Sequence, residues 1–247
     1  MPRPSIKSAV SKKYINCTDA VGGKLIRVII FDFDGLIVDT EVPAYQAWEE
    51  IYQSYGCHLP LSTWVTCIGG SADIFNPYDY LEKQLGCPIE REKIRLNYRR
   101  RYVELVEIEP LLPGVKDYID DAKRLGLKVA LASSSSHSWV DGHLSRLGLI
   151  VHFDCIKCSE DVKAVKPDPA LYQSVLDELE LSADEGIVLE DSANGILAAK
   201  RAGLFCVVVP NPMTHHLSLD LADLQLTSLA ELPLEKLLLR IEKNRDT

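Results

Sequence analysis

No apolar run in the 247-residue chain approaches the roughly 18 consecutive residues that a membrane-spanning helix needs. Positive charge is also scarce. The 27 lysines and arginines face 36 aspartates and glutamates, leaving a formal net charge of −9. That balance removes the broad field that draws nucleic acid or an anionic bilayer. There is no internal repeat and no low-complexity tract, and no second ligand pair follows the C-x-x-C of Cys155 and Cys158. The seven cysteines are odd in number and scattered across helix-like and strand-like segments, the usage of a reducing compartment. Residues 1–24 lack the apolar stretch of a secretory signal. They are basic and acid-poor but hold a single arginine, so a disordered tail is expected. The expected location is the cytoplasm, with an organelle as the alternative if that tail is a transit peptide.

From residue 25 onward, short β-branched runs alternate with longer amphipathic stretches. LIRVIIF (25–31), LKVALAS (127–133), FDCIK (153–157), GIVLE (186–190) and LFCVVVP (204–210) read as buried parallel strands. Helical patterns at 114–125, 138–147, 169–180 and 193–202 lie between them, and a last helix is expected over 229–244. Such alternation predicts an open α/β sheet. Residues 43–111 break it with helical patterns near 43–55, 62–68, 76–85 and 90–106 and no convincing strand. The expected organisation is therefore an extension (1–24), a core (25–42 and 112–247) and an inserted helical domain (43–111) that roofs the carboxyl edge of the sheet.

Four clusters sit where strands end. Asp32 and Asp34 follow the first strand, and an extended chain lets both carboxylates lean the same way. Burying two acids there is costly unless they are used, for example as nucleophile and proton donor in phosphate-ester cleavage. Ser133 and Ser134 follow the second strand, where a hydroxyl and helix-start amides can hold phosphate oxygens; helix capping explains them equally well. Lys166, stiffened by Pro167 and Pro169, can neutralise a phosphoryl group, and Lys163 is its rival. Glu190 and Asp191 add acids at the same edge, and a divalent cation with all-oxygen ligation, magnesium, resolves the repulsion.

Together, FDFDGLIVDTE and LEDSANG resemble the haloacid dehalogenase superfamily, over roughly residues 25 to 210. The resemblance implies a Rossmann-like core with a helical cap of the β-phosphoglucomutase and phosphoglycolate phosphatase type. It implies Asp32 as the nucleophile that becomes an aspartyl phosphate and Asp34 as acid, then base. Mg²⁺ would be held by Asp32, Asp191 and the backbone carbonyl of Asp34, with Glu190 ligating or supporting. Ser133, Ser134 and Lys166 would cradle the phosphoryl group. The sequence departs from the mutases at Ala44, where they carry a histidine four positions beyond the motif threonine, and Val165 replaces the small residue often found before the motif lysine.

Substrate choice is expected in the cap, at Trp64, Ile68, Gly69, Gly70 and Ser71, with Arg99, Arg100 and Arg101 mostly a solvated face. Among the histidines only His137 lies near the presumed site. These readings predict a magnesium-dependent phosphatase for a small phosphorylated metabolite, a monomer or weak homodimer without nucleic-acid or membrane partners. A phosphosugar mutase and a non-catalytic metabolite-binding protein are the alternatives.

Overall fold

The computed structural model describes residues 25–67, 75–215 and 217–245. The extension at 1–24 and the expected specificity residues Ile68, Gly69, Gly70 and Ser71 lie outside them.

Strand β1 (Val28–Phe31) leads into a helical segment: α1 (Glu41–Ser54), α2 (Leu61–Trp64), α3 (Pro77–Leu85) and α4 (Arg91–Glu107). The chain then alternates through α5 (Val115–Arg124), β2 (Lys128–Ala132), α6 (His137–Arg146), β3 (Cys155–Lys157), α7 (Ala170–Leu179), β4 (Gly186–Glu190), α8 (Ala193–Arg201) and β5 (Phe205–Val208). A two-residue strand β6 (Leu224–Gln225) and helix α9 (Leu234–Arg245) complete it. The sheet runs β3-β2-β1-β4-β5-β6, every pairing parallel.

Side-chain alternation splits the strands between two cores. Ile29 and Phe31 of β1 face one side with Val129, Leu131, Ile187 and Leu189, packed against α5, α6 and α9. Val28 and Ile30 face the other with Ala130, Val188 and Val208, against α7 and α8. Cys155 belongs to the second core and Cys158 to the first, so the C-x-x-C is divided between opposite faces and forms no shared site. Burial pushes both thiols up to about 12.

The helical segment has an apolar cluster of its own, built from Trp48, Tyr52, Leu59, Trp64, Leu81 and Ile94 and touched by Met213. Asp39 starts α1 by accepting the Glu41 and Val42 amides through Oδ1, each at 3.0 Å. Asn76 caps α3 in the same way, with Pro77 in its first turn. The segment leaves and rejoins the sheet side by side, where Val38 bridges Leu111 and the Leu112 amide donates to the Ile37 carbonyl at 2.9 Å.

Two expectations are corrected. β6 was not foreseen. The final helix does not run unbroken from 229: a 3₁₀ turn occupies Leu229–Glu231, and α9 starts only at Leu234. Pro233 holds Leu232 in an extended conformation and interrupts the helix there.

Candidate active site

Because β2, β1 and β4 are parallel neighbours, their carboxyl ends fall on one edge. Asp32 follows β1, Ser133 follows β2, and Glu190 and Asp191 end and follow β4. The register Phe31↔Leu189 sets Asp32 level with Glu190. Lys166 arrives from the loop between β3 and α7. Its Nζ donates to Asp32 Oδ1 at 2.5 Å and to Glu190 Oε1 at 2.7 Å. Lys163 is exposed and does not line the cleft.

Ligand oxygens of Asp32, Glu190 and Asp191 all lie within 4.8 Å of one another. Lys166 balances one of these three charges, and the rest are buried without a protein cation among the described residues. Burial pushes the Asp191 carboxyl well above the ordinary aspartate range, and Glu190 and Asp32 push it further. Burial also raises Asp32, against the pull of Lys166. At Glu190 burial works upward too, but Lys166 and the surrounding hydrogen bonds outweigh it and hold that carboxyl below its usual value. Lys166 loses charge stability to burial and regains more from Asp32 and Glu190, so its ammonium is held firmly protonated. An all-carboxylate set with unbalanced charge fits a divalent cation of the magnesium type.

Both Glu190 oxygens are already engaged. Oε1 accepts from Lys166 and from Tyr172 Oη at 2.7 Å, and Oε2 from the Asp191 and Ser192 amides and the Ser192 hydroxyl. Asp191 Oδ2 accepts from Asn211 Nδ2 at 2.7 Å. Gly35, at φ +76°, lets the chain pass beside this pair; a Cβ there would stand 2.3 Å from Asp191 Oδ2.

Asp34 turns toward α6. Its Oδ1 accepts the Trp139 indole N–H at 2.9 Å, and its Oδ2 accepts Ser135 Oγ at 2.6 Å and, more weakly, Ser133 Oγ at 3.4 Å. Ser133 is fully buried, whereas Ser134 is exposed and lines the cleft. The capping role falls to Ser136, whose side chain accepts the Trp139 amide.

These groups open on a cleft of about 390 Å³, to which Trp64 contributes from the helical segment. None of Arg99, Arg100 and Arg101 lines it, and Arg101 instead pairs with Glu50 across α4 and α1. His137 pairs with Asp161 and Asp141 on the surface. Sequence reasoning missed Glu41, Trp139, Tyr172 and Asn211. Glu41 lines the cleft, and burial, with Asp34 and Asp39 close by, pushes its carboxyl up to about 7. Glu41 closes the motif FDFDGLIVDTE, a signal that could have found it; the other three are tertiary partners with no local signature.

A family model described as haloacid dehalogenase-like hydrolase matches residues 29–209. The chain is 45% identical to "Putative phosphatase YhcW" of Bacillus subtilis (strain 168) over 87% of its own length and 97% of that protein's. It is 31% identical to hexitol phosphatase B of Escherichia coli (strain K12), covering 86% of this chain and 97% of that one. Among solved structures, β-phosphoglucomutase from Clostridium difficile superposes with a TM-score of 0.68 at 26% identity, covering 90% of this chain and all of the other.

Proposed function

The chain belongs to the haloacid dehalogenase-like hydrolases, and from that membership we propose that it is a magnesium-dependent phosphatase of small phosphorylated metabolites, sugar phosphates above all. The reaction class, phosphoric monoester hydrolysis, follows from the family and its phosphatase relatives. The observation that carries the reading is the convergence of Asp32, Lys166, Glu190 and Asp191 on one sheet edge, with Asp34 alongside.

In the proposed mechanism an Asp32 carboxylate oxygen attacks phosphorus while the bond from phosphorus to the ester oxygen breaks. Asp34 gives that leaving oxygen its proton. A water molecule then attacks the aspartyl phosphate and yields a proton to Asp34. The bond from phosphorus to Asp32 breaks, releasing inorganic phosphate and restoring both carboxyl groups. Lys166 and the Ser133 and Ser134 region hold the phosphoryl oxygens, and Lys166 keeps Asp32 aimed. Magnesium, when bound by Asp32, Asp191 and the Asp34 carbonyl, supplies neutralisation of the negative charge gathered there. Glu190 acts as the support of this set, since both its oxygens are occupied by protein donors. The helical segment 43–111 acts as the cap, placing Trp64 over the cleft to exclude bulk water.

The mutase reading asks for a proton-handling group at position 44. Ala44 instead supplies a methyl group that packs on the helical cluster. Non-catalytic binding leaves a costly buried acid set unused. A monomer or weak homodimer is the assembly proposed with this reading. No helix among the described residues is long and apolar enough to cross a membrane. The cytoplasm is the location proposed, and the formal net charge of −9 disfavours broad attraction to a lipid surface or a nucleic acid.

The test is phosphate release from a panel of sugar phosphates and other small monoesters, with magnesium or with chelator. Release is expected to require magnesium and to fall at least about a thousandfold in Asp32→Asn. Undiminished release by that variant overturns the nucleophile assignment. Turnover only with a sugar bisphosphate returns the mutase.

A further inference from the structure

Trp139 stands in the first turn of α6 and is the only aromatic side chain among the described residues shown donating to Asp34. Its ring is held from two directions. On one side it stacks on Tyr102 of α4, with centroids 5.3 Å apart and planes 13° from parallel. On the other it meets His143 edge-on at 4.3 Å. The stack continues into the helical segment: Tyr102 lies on Tyr98 at 5.7 Å, and Tyr98 on Trp48 at 4.9 Å. A row of rings thus runs from α1 through α4 to the indole that holds Asp34.

A carboxylate held at one oxygen by rotatable serine hydroxyls can swing about its χ angles, whereas a rigid indole N–H on its second oxygen fixes the plane. We propose that Trp139 is a positioning residue for the proton-donating Asp34, clamped by Tyr102 so that the placement of the helical segment sets the aim of the acid. The indole does not line the cleft, whereas Asp34 does. It acts by holding Asp34 where the leaving oxygen departs, and so it matters most when that oxygen needs a proton. The inference rests on the role given to Asp34 under the proposed function.

That dependence gives a readout that a purely structural tryptophan would not move. Sugar phosphates expel an alkoxide and need the acid; p-nitrophenyl phosphate expels a stable phenolate and does not. The quantity to compare is kcat/KM, which reports the first phosphoryl transfer, for the best sugar phosphate of the panel and for p-nitrophenyl phosphate. Trp139→Phe, which keeps a ring in the stack and removes the N–H, is expected to lose about tenfold or more on the sugar phosphate and less than about twofold on the aryl ester. Tyr102→Leu, which leaves the N–H but removes the clamp, should show the same selectivity at smaller size. Equal losses on both substrates, or none on either, overturn the inference. Asp34→Asn separates the two levels of the argument. If it is selective and Trp139→Phe is not, the positioning role fails alone; if Asp34→Asn shows no selectivity, the acid assignment fails and the inference with it.

Discussion

The two oxygens of Glu190 accept from Lys166 and Tyr172 on one side and from Asp191 and Ser192 on the other. Such a carboxylate needs room as well as partners, and Gly195 provides it: a Cβ at that position would lie 1.8 Å from Glu190 Oε1. Gly195→Ala should therefore cost about 2 kcal/mol or more, since neither the buried acid nor the backbone of α8 can give way. Urea unfolding of the variant measures this, and an unchanged midpoint would show that the acid can relocate. Asp32, Asp191 and Glu190 were legible in the sequence because each directly follows or ends a strand, and parallel strands bring such positions to one edge; Lys166, in the loop before α7, was legible from the prolines that follow it. Tyr172, Trp139 and Asn211 were not legible. A helix-borne ring or a loop amide becomes part of a site only through contacts made across the fold, 105 residues apart in the case of Trp139 and Asp34.

At the scale of the element, the three-residue edge strand β3 has too few ladder bonds to hold itself, and Asp154 just before it supplies anchors. Its carboxylate accepts the Val129 amide at 2.9 Å, Lys123 at 2.7 Å and Lys128 at 3.1 Å, tying β3 to β2 and α5. Burial works to raise this carboxyl, but those donors outweigh it and hold it at about 2. A depressed folded value means stability that is present above the ordinary aspartate pKa and lost as pH falls toward 2. Asp154→Asn is expected to destabilise the protein by up to about 1 kcal/mol near neutrality, the solvent-facing lysines limiting the effect. The gap from wild type should narrow between pH 4 and pH 2; urea midpoints at pH 7 and pH 3 test it, and a constant gap would assign the effect to shape rather than charge. The same shortness explains why β3 was a weak signal in the sequence and β6 none. Two residues cannot display a period, while the five-residue strands β2 and β4 could. Helix ends were legible to within a residue or two wherever glycine or a capping side chain marked them.

Over the whole molecule, folding assembles a charge arrangement that the open chain does not have. An acidic protein of net charge −9 gathers Asp32, Glu190 and Asp191 within 4.8 Å in a buried edge with one lysine among them. In the unfolded chain these carboxylates are spread over a sequence span of 159 residues and offer a cation nothing comparable. Binding to the folded state alone must then appear as stability, about 2.7 kcal/mol when magnesium is a hundredfold above its dissociation constant. For a chain of this size each kcal/mol raises the melting temperature by about 2–4 °C, so a rise of several degrees is expected on exchanging chelator for magnesium. Asp191→Asn separates this account from a generic salt effect because its two consequences oppose each other. In chelator the variant loses a carboxyl whose ionised form is disfavoured by burial and by Glu190 and Asp32, so it should melt at or above wild type. In magnesium it should melt below wild type, having lost a ligand along with the repulsion. Paired thermal melts decide the matter: a variant that is lower in both conditions would mean that Asp191 supports the fold chiefly through Asn211, and an undiminished magnesium response would remove it from the metal set.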